Sequence, residues 1–281
     1  MKAFIFFLLA ASLTSWGQTT LEQRQRLENK VKPYYTPDYL AFRDKIIKEY
    51  PNAKPGRFGL VIKDVFEDVA DKEKVLAFTF DACIGKDNDY NAPLIAFLRK
   101  ERIPATLFVS GLWIDSNQAV FRDLAADSLF EMGNHGLLHR LCSINGETKY
   151  GIAATQNLAE VIDEMELNAR KMAAITGKRP RFFRSATAYT DETCAKIANQ
   201  LGMKIVGFDV LSGDAVPFTP AEIIKNTIIA NAKPGAIVIM HFNHPQWHEL
   251  EALQMAIPIL RAQGYRFVKL THEKLLSRMG E

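Results

Sequence analysis

The stretch that decides the fold is Val75-Leu76-Ala77-Phe78-Thr79-Phe80-Asp81, an apolar run of β-forming residues that ends at a carboxylate. A short apolar run without alternating polar residues is typical of a strand buried on both faces. A helix is predicted next, with Asn91 as its N-cap and Pro93 in its first turn. The pattern predicts the first strand–helix unit of an α/β domain.

The same rhythm continues to the end of the chain. Strands are predicted at 105–109, 182–184, 204–209, 236–240 and 265–270. Helices are predicted at 117–127, 155–176, 190–201 and 252–262. Two more helices are predicted to begin at the capping box Thr219-Pro220-Ala221-Glu222 and after Thr271. Strands that alternate with helices imply parallel pairing and an α/β fold. Six or seven units favour a distorted or partial (β/α) barrel. The alternative, a doubly wound open sheet, would want a glycine-rich phosphate turn after the first strand, and none is present.

The N-terminus predicts export. Lys2 is followed by the apolar run 3–11, and small residues lead to Gly17. This pattern indicates a signal peptide over residues 1–17, and the run is too short for a transmembrane helix. We therefore expect a periplasmic or secreted protein without stable membrane insertion after cleavage. Residues 18–72 read as a helical N-terminal extension, and 73–281 as the catalytic domain.

Composition narrows the function classes. Hydrophobic residues make up 48% and charged residues 24% of the 281 residues, as in an ordinary folded domain. The formal net charge is +3 with scattered basic residues, which gives no argument for nucleic-acid binding. The cysteines are Cys83, Cys142 and Cys194; without a Cys-x-x-Cys spacing they argue against a zinc knuckle, and one disulfide stays open.

The candidate site residues stand at predicted strand ends. His135 and His139 follow one strand, and on one helical turn their imidazoles would share a face and reach a single ion. In an α/β barrel the carboxyl ends of the strands form one rim, where active sites lie. The other rim residues, which arrive in successive units, are Asp81, Arg184, Asp209 with Asp214, and His241.

These residues resemble, in order and spacing, the five motifs of the polysaccharide deacetylases, which are carbohydrate esterase family 4 with its NodB-type domain. The motifs here are Thr79-Phe80-Asp81, His135-x-x-x-His139, Phe183-Arg184, Asp209 to Asp214, and Met240-His241. The resemblance covers residues 73 to 276. It implies a distorted (β/α) barrel and the metal-assisted removal of acetyl groups from a sugar.

The resemblance also implies roles. His135 and His139 would hold a divalent metal, with zinc favoured over cobalt or nickel, and Asp81 would be the general base. His241 would be the general acid, supported by Asp214, while Arg184 would orient Asp81. Asp209 is left as a structural residue, and Trp247 is a candidate for stacking on a sugar ring.

The chain departs from the family at its first motif, because Ala82 stands where a second aspartate usually binds the metal. Gly136 replaces the usual serine or threonine, and the third motif lacks its proline. Four solutions for the missing ligand stay open: Asp81 itself, Asp87 or Asp89 from the next loop, two histidines with waters, or Cys83. Cys83 is the least favoured, since we expect its side chain to point away from the Asp81 face.

The sequence therefore predicts an exported metal-dependent hydrolase that removes acetyl groups, N-acetyl before O-acetyl, from a polysaccharide such as peptidoglycan. The first alternative is a catalytically silent carbohydrate-binding protein on the same fold. The second is a hydrolase of small non-peptide amides. The retention of Asp81, Arg184, Asp214 and His241 favours the enzyme.

Overall fold

The computed structural model describes residues 21–70, 73–83, 90–216 and 218–280. The signal peptide predicted over residues 1–17 lies outside this range, as do Asp87 and Asp89. No helix in the described ranges is both long and apolar enough to cross a membrane.

Short helices surround a sheet of mostly short strands. The strands are β1 (Phe58–Gly59), β2 (Val65–Phe66), β3 (Asp68–Val69), β4 (Val75–Ala82), β5 (Ala105–Val109), β6 (Phe130–Asn134), β7 (Phe182–Phe183), β8 (Thr190–Asp191), β9 (Lys204–Val206), β10 (Val210–Leu211), β11 (Ala236–His241), β12 (Arg266–Val268) and β13 (Leu275–Leu276). The α-helices are α1 (Leu21–Val31), α2 (Pro37–Lys48), α3 (Ala92–Lys100), α4 (Gly111–Ser116), α5 (Gln118–Ala126), α6 (Leu158–Ile162), α7 (Asn168–Thr176), α8 (Glu192–Gln200), α9 (Ala221–Asn231) and α10 (Glu249–Ala262).

The main sheet curls into a nearly closed barrel. Its strand order is β13-β3-β11-β4-β5-β6-β7-β9-β2, with β10 beside β11 and β12 beside β4. The run from β11 through β9 to β2 is parallel throughout, while β3 pairs antiparallel with β11 and β13. The predicted α/β architecture with a partial barrel is therefore confirmed.

Strand β4 shows how the sequence positions the site. Because side chains alternate across a strand, Leu76, Phe78 and Phe80 enter the main core that the outer helices cover. Val75 and Ala77 point the other way, into an apolar cluster inside the barrel. The same alternation turns Asp81 toward the barrel interior at the carboxyl end of the strand.

The register brings the polar strand ends together. His241 at the end of β11 lies directly beside Asp81 at the end of β4. Further along the sheet, Asn134 of β6 pairs with Phe183 of β7, so that the next residues, His135 and Arg184, leave neighbouring strands at the same level. One rim thus carries Asp81, His135, Arg184 and His241, whereas Asp209, predicted at the same rim, precedes β10 and lies near Ile237, well below the end of β11.

Three of the predicted helices differ in detail. The helix predicted over 155–176 is interrupted by a π-helical segment, Asp163–Leu167, between α6 and α7. Thr219 does not cap α9: its hydroxyl donates to the Val216 carbonyl, and the N-cap position is Pro220. The helix predicted after Thr271 was wrong, because residues 275–276 pair with β3 as strand β13.

The predicted N-terminal extension is joined closely to the barrel. Helix α2 begins after Thr36, whose hydroxyl accepts from the Tyr39 N–H. Val31 and Tyr39 pack with Leu137 and Leu138, which lie between the two candidate metal ligands. Further along the same segment, β2 and β3 are strands of the main sheet. The extension therefore supports the site rim directly.

Candidate functional site

His135 and His139 lie in a loop that follows β6. The prediction of a helical turn was wrong: residues 135–139 are not helical, and His139 has a φ of 54°. The loop still brings the two rings to a centroid separation of 4.7 Å. His135 Nδ1 lies 2.8 Å from the Arg184 carbonyl oxygen. Since a carbonyl can only accept, Nδ1 carries the proton and Nε2 keeps its lone pair for a metal.

A buried carboxylate, Glu164, fixes the backbone of this loop through hydrogen bonds. Glu164 Oε1 accepts hydrogen bonds from the N–H groups of Leu138, at 3.0 Å, and Arg140, at 2.8 Å. Arg140 Nε also donates to Glu164 Oε2 at 3.1 Å. Gly136 has a φ of 83°, and a Cβ there would lie 2.3 Å from Glu164 Oε1. This contact explains why glycine replaces the family's serine or threonine.

Asp81 is held by one buried ion pair. Arg184, which is fully buried, donates from Nη1 to Asp81 Oδ1 at 2.8 Å. The same guanidinium donates to the carbonyl oxygens of Val206 and Gly207. Asp81 Oδ2 lies 3.8 Å from His135 Nε2. The arrangement fixes one carboxylate oxygen and leaves the other facing the histidines.

Cys83 joins the histidine pair, contrary to the sequence expectation. Residues two apart on a strand share a face, so Cys83 follows Asp81 to the barrel side and its Sγ lies 3.6 Å from His135 Nε2. One ligand atom from each of Cys83, His135 and His139 falls within 4.8 Å of the others. Burial alone would raise the pKa of the Cys83 thiol, but the neighbouring His139 and His135 lower it well below its usual range.

Ala82 has no atom that can bind a metal, and its side chain does not face the site. It is fully buried in the main core, on the face of β4 that packs under the helices.

His241 and Asp214 form a second pair on the rim. Asp214 Oδ2 accepts from the His241 backbone N–H at 2.6 Å and lies 3.2 Å from His241 Nδ1, while Ser212 donates to Oδ1. Burial alone would lower the pKa of His241, but the Asp214 carboxylate more than offsets this and raises the pKa well above its usual value. Nε2 is left as the nitrogen that can donate to a substrate.

Asp209, in contrast, points away from this chemistry. Lys233 Nζ lies 2.9 Å from Asp209 Oδ2, and Arg278 pairs with the other oxygen. It is a structural ion-pair residue, in keeping with the role that the sequence assigned to it.

Sequence reasoning missed one buried acid beside the His241–Asp214 pair. Glu249 begins α10 and is fully buried, and neither carboxylate oxygen has a hydrogen-bond partner among the described residues. Burial raises its pKa to about 8; the charge of Asp214 adds to the rise and His241 opposes it. A glutamate at a helix start also suits the helix dipole, so the sequence carries no signal of this burial.

An open cleft adjoins the pair. A cavity of about 250 Å³ is lined in part by Asp214, Phe218 and Trp247. The Trp247 ring lies 5.6 Å from the His241 ring and stacks on His244 at 3.8 Å. Phe218 is 94% exposed. The cleft therefore offers aromatic surface next to the candidate acid.

The donor set suits a divalent transition metal. One thiolate and two imidazoles are zinc ligands, and three protein ligands leave a position open for water or substrate. The Arg184 carbonyl supplies the outer hydrogen bond that orients a ligating histidine. The three cysteines are free thiols, so no disulfide competes for Cys83.

Comparison with known proteins supports the assignment of these rim residues to a candidate active site. The family model for polysaccharide deacetylase matches residues 68–206, which include β4, the histidine loop and Arg184. The chain belongs to the polysaccharide deacetylases. The family predicted from the sequence is thus confirmed, as is the enzyme class, a hydrolase acting on carbon–nitrogen bonds other than peptide bonds.

Three relatives illustrate the range of this family. A peptidoglycan-N-acetylglucosamine deacetylase from Bacillus cereus is 27% identical over 73% of this chain and 90% of its own. A family 4 acetyl xylan esterase from Clostridium thermocellum, solved with a cobalt ion, is 28% identical, with a TM-score of 0.59 over 70% of this chain and 89% of its own. A mutant of a Bacillus anthracis family 4 pseudoenzyme with restored activity is 26% identical, with a TM-score of 0.60 over 71% and 67%.

Proposed function

We propose that the chain is an exported, metal-dependent deacetylase that removes N-acetyl groups from a polysaccharide, with peptidoglycan as the leading candidate. The observation that carries the proposal is the convergence on one rim of the Asp81–Arg184 pair, the His135–His139 loop and the His241–Asp214 pair. The similarity to a peptidoglycan-N-acetylglucosamine deacetylase supports the choice of polymer.

His135 and His139 would hold the metal. When bound, such an ion supplies Lewis acidity toward the acetyl carbonyl and lowers the pKa of water. Asp81 takes a proton from the attacking water through Oδ2, since Oδ1 is bound to Arg184.

His241 gives a proton from Nε2 to the sugar nitrogen as its bond to the acetyl carbon breaks. The Nδ1 contact with Asp214 holds the ring for this transfer. Acetate and a free amine are the products. Phe218 and Trp247 offer sugar-stacking surface beside this acid, which suits a polymer better than a small amide.

The test is acetate release by the purified, zinc-loaded protein from peptidoglycan, chitin oligomers and acetylated xylan. We expect release from an N-acetylated polymer, its loss in excess chelator, and a decrease of about 10²–10⁴-fold in Asp81→Asn. Full activity in chelator would overturn the metal dependence. Release from acetylated xylan alone would assign O-deacetylation. Polymer binding without acetate from any of the three would assign the silent carbohydrate-binding role.

Export is tested separately, by expressing the full-length chain in a bacterial host. We expect the mature protein outside the cytoplasm with a new N-terminus close to Gln18. Uncleaved protein that still begins at Met1 in the cytoplasmic fraction would contradict the signal-peptide assignment. It would leave the proposed deacetylation mechanism unaffected.

A further inference from the structure

We propose that Cys83 is the third protein ligand of the metal, so that the centre is a Cys–His–His site in place of a carboxylate–His–His site. The inference rests on the proposed metal-dependent function and names the ligand that replaces the aspartate missing at Ala82. It would make this centre a thiolate site with a preference for zinc or cobalt.

The spacing of the donor atoms carries the inference. In a tetrahedral zinc site with Zn–S of about 2.3 Å and Zn–N of about 2.05 Å, the sulfur and nitrogen lie about 3.6 Å apart. Cys83 Sγ and His135 Nε2 are 3.6 Å apart. The third donor, from His139, lies within 4.8 Å of both. One ion can therefore reach Cys83 and His135 as they stand, and a shift of at most about 1.4 Å brings the His139 donor to the tetrahedral N–N separation of about 3.4 Å.

The described carboxylates near the histidines are less suited to this role. Asp81 Oδ1 accepts from buried Arg184, so ligation by Asp81 would draw the general base toward the metal. Ala82 has no ligating atom and lies in the apolar core. Among the described residues, Cys83, His135 and His139 are the group whose ligand atoms come close enough together to hold an ion.

The ligand type has a chemical consequence. Thiolate and imidazole favour zinc and other borderline or soft ions, whereas magnesium and calcium prefer oxygen ligands. We therefore expect the protein to retain zinc or cobalt and to bind magnesium and calcium far more weakly. Zinc should also protect Cys83 from alkylation, because a ligated thiolate is no longer a free nucleophile.

The decisive experiment is zinc X-ray absorption on the full-length protein and three variants. We expect one sulfur at about 2.3 Å in the wild type and in Cys142→Ala, a buried-thiol control, and none in Cys83→Asp. Cys83→Asp should still bind zinc, with an oxygen ligand in place of the sulfur, because a carboxylate can also ligate at about 2.0–2.2 Å. Cys83→Ala should lose at least about tenfold in zinc affinity.

Two results would overturn the inference. One is a fully zinc-loaded wild type with only nitrogen and oxygen ligands. The other is a zinc-loaded Cys83→Asp that is inactive while the wild type accumulates an acetylated Cys83, which would make the thiol a nucleophile. Chelator-sensitive acetate release without a sulfur ligand would leave the proposed function standing. A sulfur ligand to zinc without acetate release from any polymer would support the Cys–His–His site and contradict the proposed deacetylase function.

Discussion

Asp163 and Glu164 are neighbours in the sequence, yet they bind two different parts of the chain. Asp163 accepts hydrogen bonds from the hydroxyls of Tyr35 and Tyr39, at 2.6 and 2.5 Å. Glu164 accepts from the two backbone N–H groups that flank His139. The π-helical segment that carries both acids therefore ties the N-terminal helices to the loop that presents the metal ligands.

Glu164 should act as a positioning residue for the metal. In Glu164→Gln, the amide NH₂ would face Arg140 Nε, another donor, so the side chain must turn and the hydrogen bonds to the loop weaken. We expect zinc affinity to fall about 10–100-fold, measured by competition with a chromophoric chelator. Glu160→Gln is the matched control, because Glu160 pairs with Arg140 without contacting the loop. Equal affinities for the two variants would contradict this role.

The N-terminal contact should contribute to stability. Tyr39→Phe removes a buried hydroxyl from Asp163 and leaves one carboxylate oxygen with fewer donors, which costs about 1–3 kcal/mol of unfolding free energy. Urea unfolding measures this loss, and limited proteolysis should show faster cleavage in α2. Tyr34→Phe is the control, because the Tyr34 ring lies instead beside Lys171. The same small loss in both variants would argue against the anchoring role.

Much of this architecture could be predicted from the sequence. Buried strands that end in Asp81, Arg184 and His241 predict both the parallel barrel and the rim, because parallel strands carry their carboxyl ends to one side. The position of Cys83 could also have been derived, since residues 81 and 83 share a face of a strand. The sequence prediction misapplied this alternation.

Other features had no local signal. Glu164 and Glu249 stand in helical segments, where a glutamate is ordinarily a solvated surface residue. Their burial depends on long-range neighbours, Arg140 for Glu164 and the Asp214 loop for Glu249. The loop at 135–139 has the spacing of a helical turn, but Gly136 and the contacts to Glu164 give it another backbone path.

Restoring the family's aspartate at residue 82 should fail in this chain. Ala82 is buried in the main core, so Ala82→Asp would place a carboxylate among apolar side chains and cost several kcal/mol of unfolding free energy. We expect no gain in zinc affinity, measured by the same chelator competition. Ala82→Ser is the control for added size. Tighter zinc binding by Ala82→Asp would show that this position reaches the ion.

Arg184 should matter for both stability and catalysis. In Arg184→Met the buried Asp81 carboxylate loses its charged partner, which costs about 3–5 kcal/mol of unfolding free energy. Adding Asp81→Asn to this variant should recover part of the stability in urea unfolding, while acetate release stays low because the base is gone. Full additivity of the two losses would show that Asp81 and Arg184 do not act as a pair.

Glu249 should make stability fall as the pH rises. Its pKa is raised from 4.5 to about 8 in the folded protein, mainly by burial; its own backbone N–H and His241 oppose this rise, while Asp214 and Glu251 add to it. Between these values the folded protein holds a proton that the unfolded chain releases, so the unfolding free energy falls by up to about 1.4 kcal/mol per pH unit.

Glu249→Gln removes the titrating carboxyl group and with it this pH dependence. The unfolding free energy of the variant should therefore rise relative to that of the wild type from pH 5 to pH 8, measured by urea unfolding at both values. Glu251→Gln, an exposed position on the same helix, is the matched control and should stay close to the wild type, because Glu251 makes the smallest of these contributions to the Glu249 pKa. Parallel pH profiles for Glu249→Gln and the wild type would mean that Glu249 is ionised in the folded protein. Its charge would then have to be stabilised by groups close to His241.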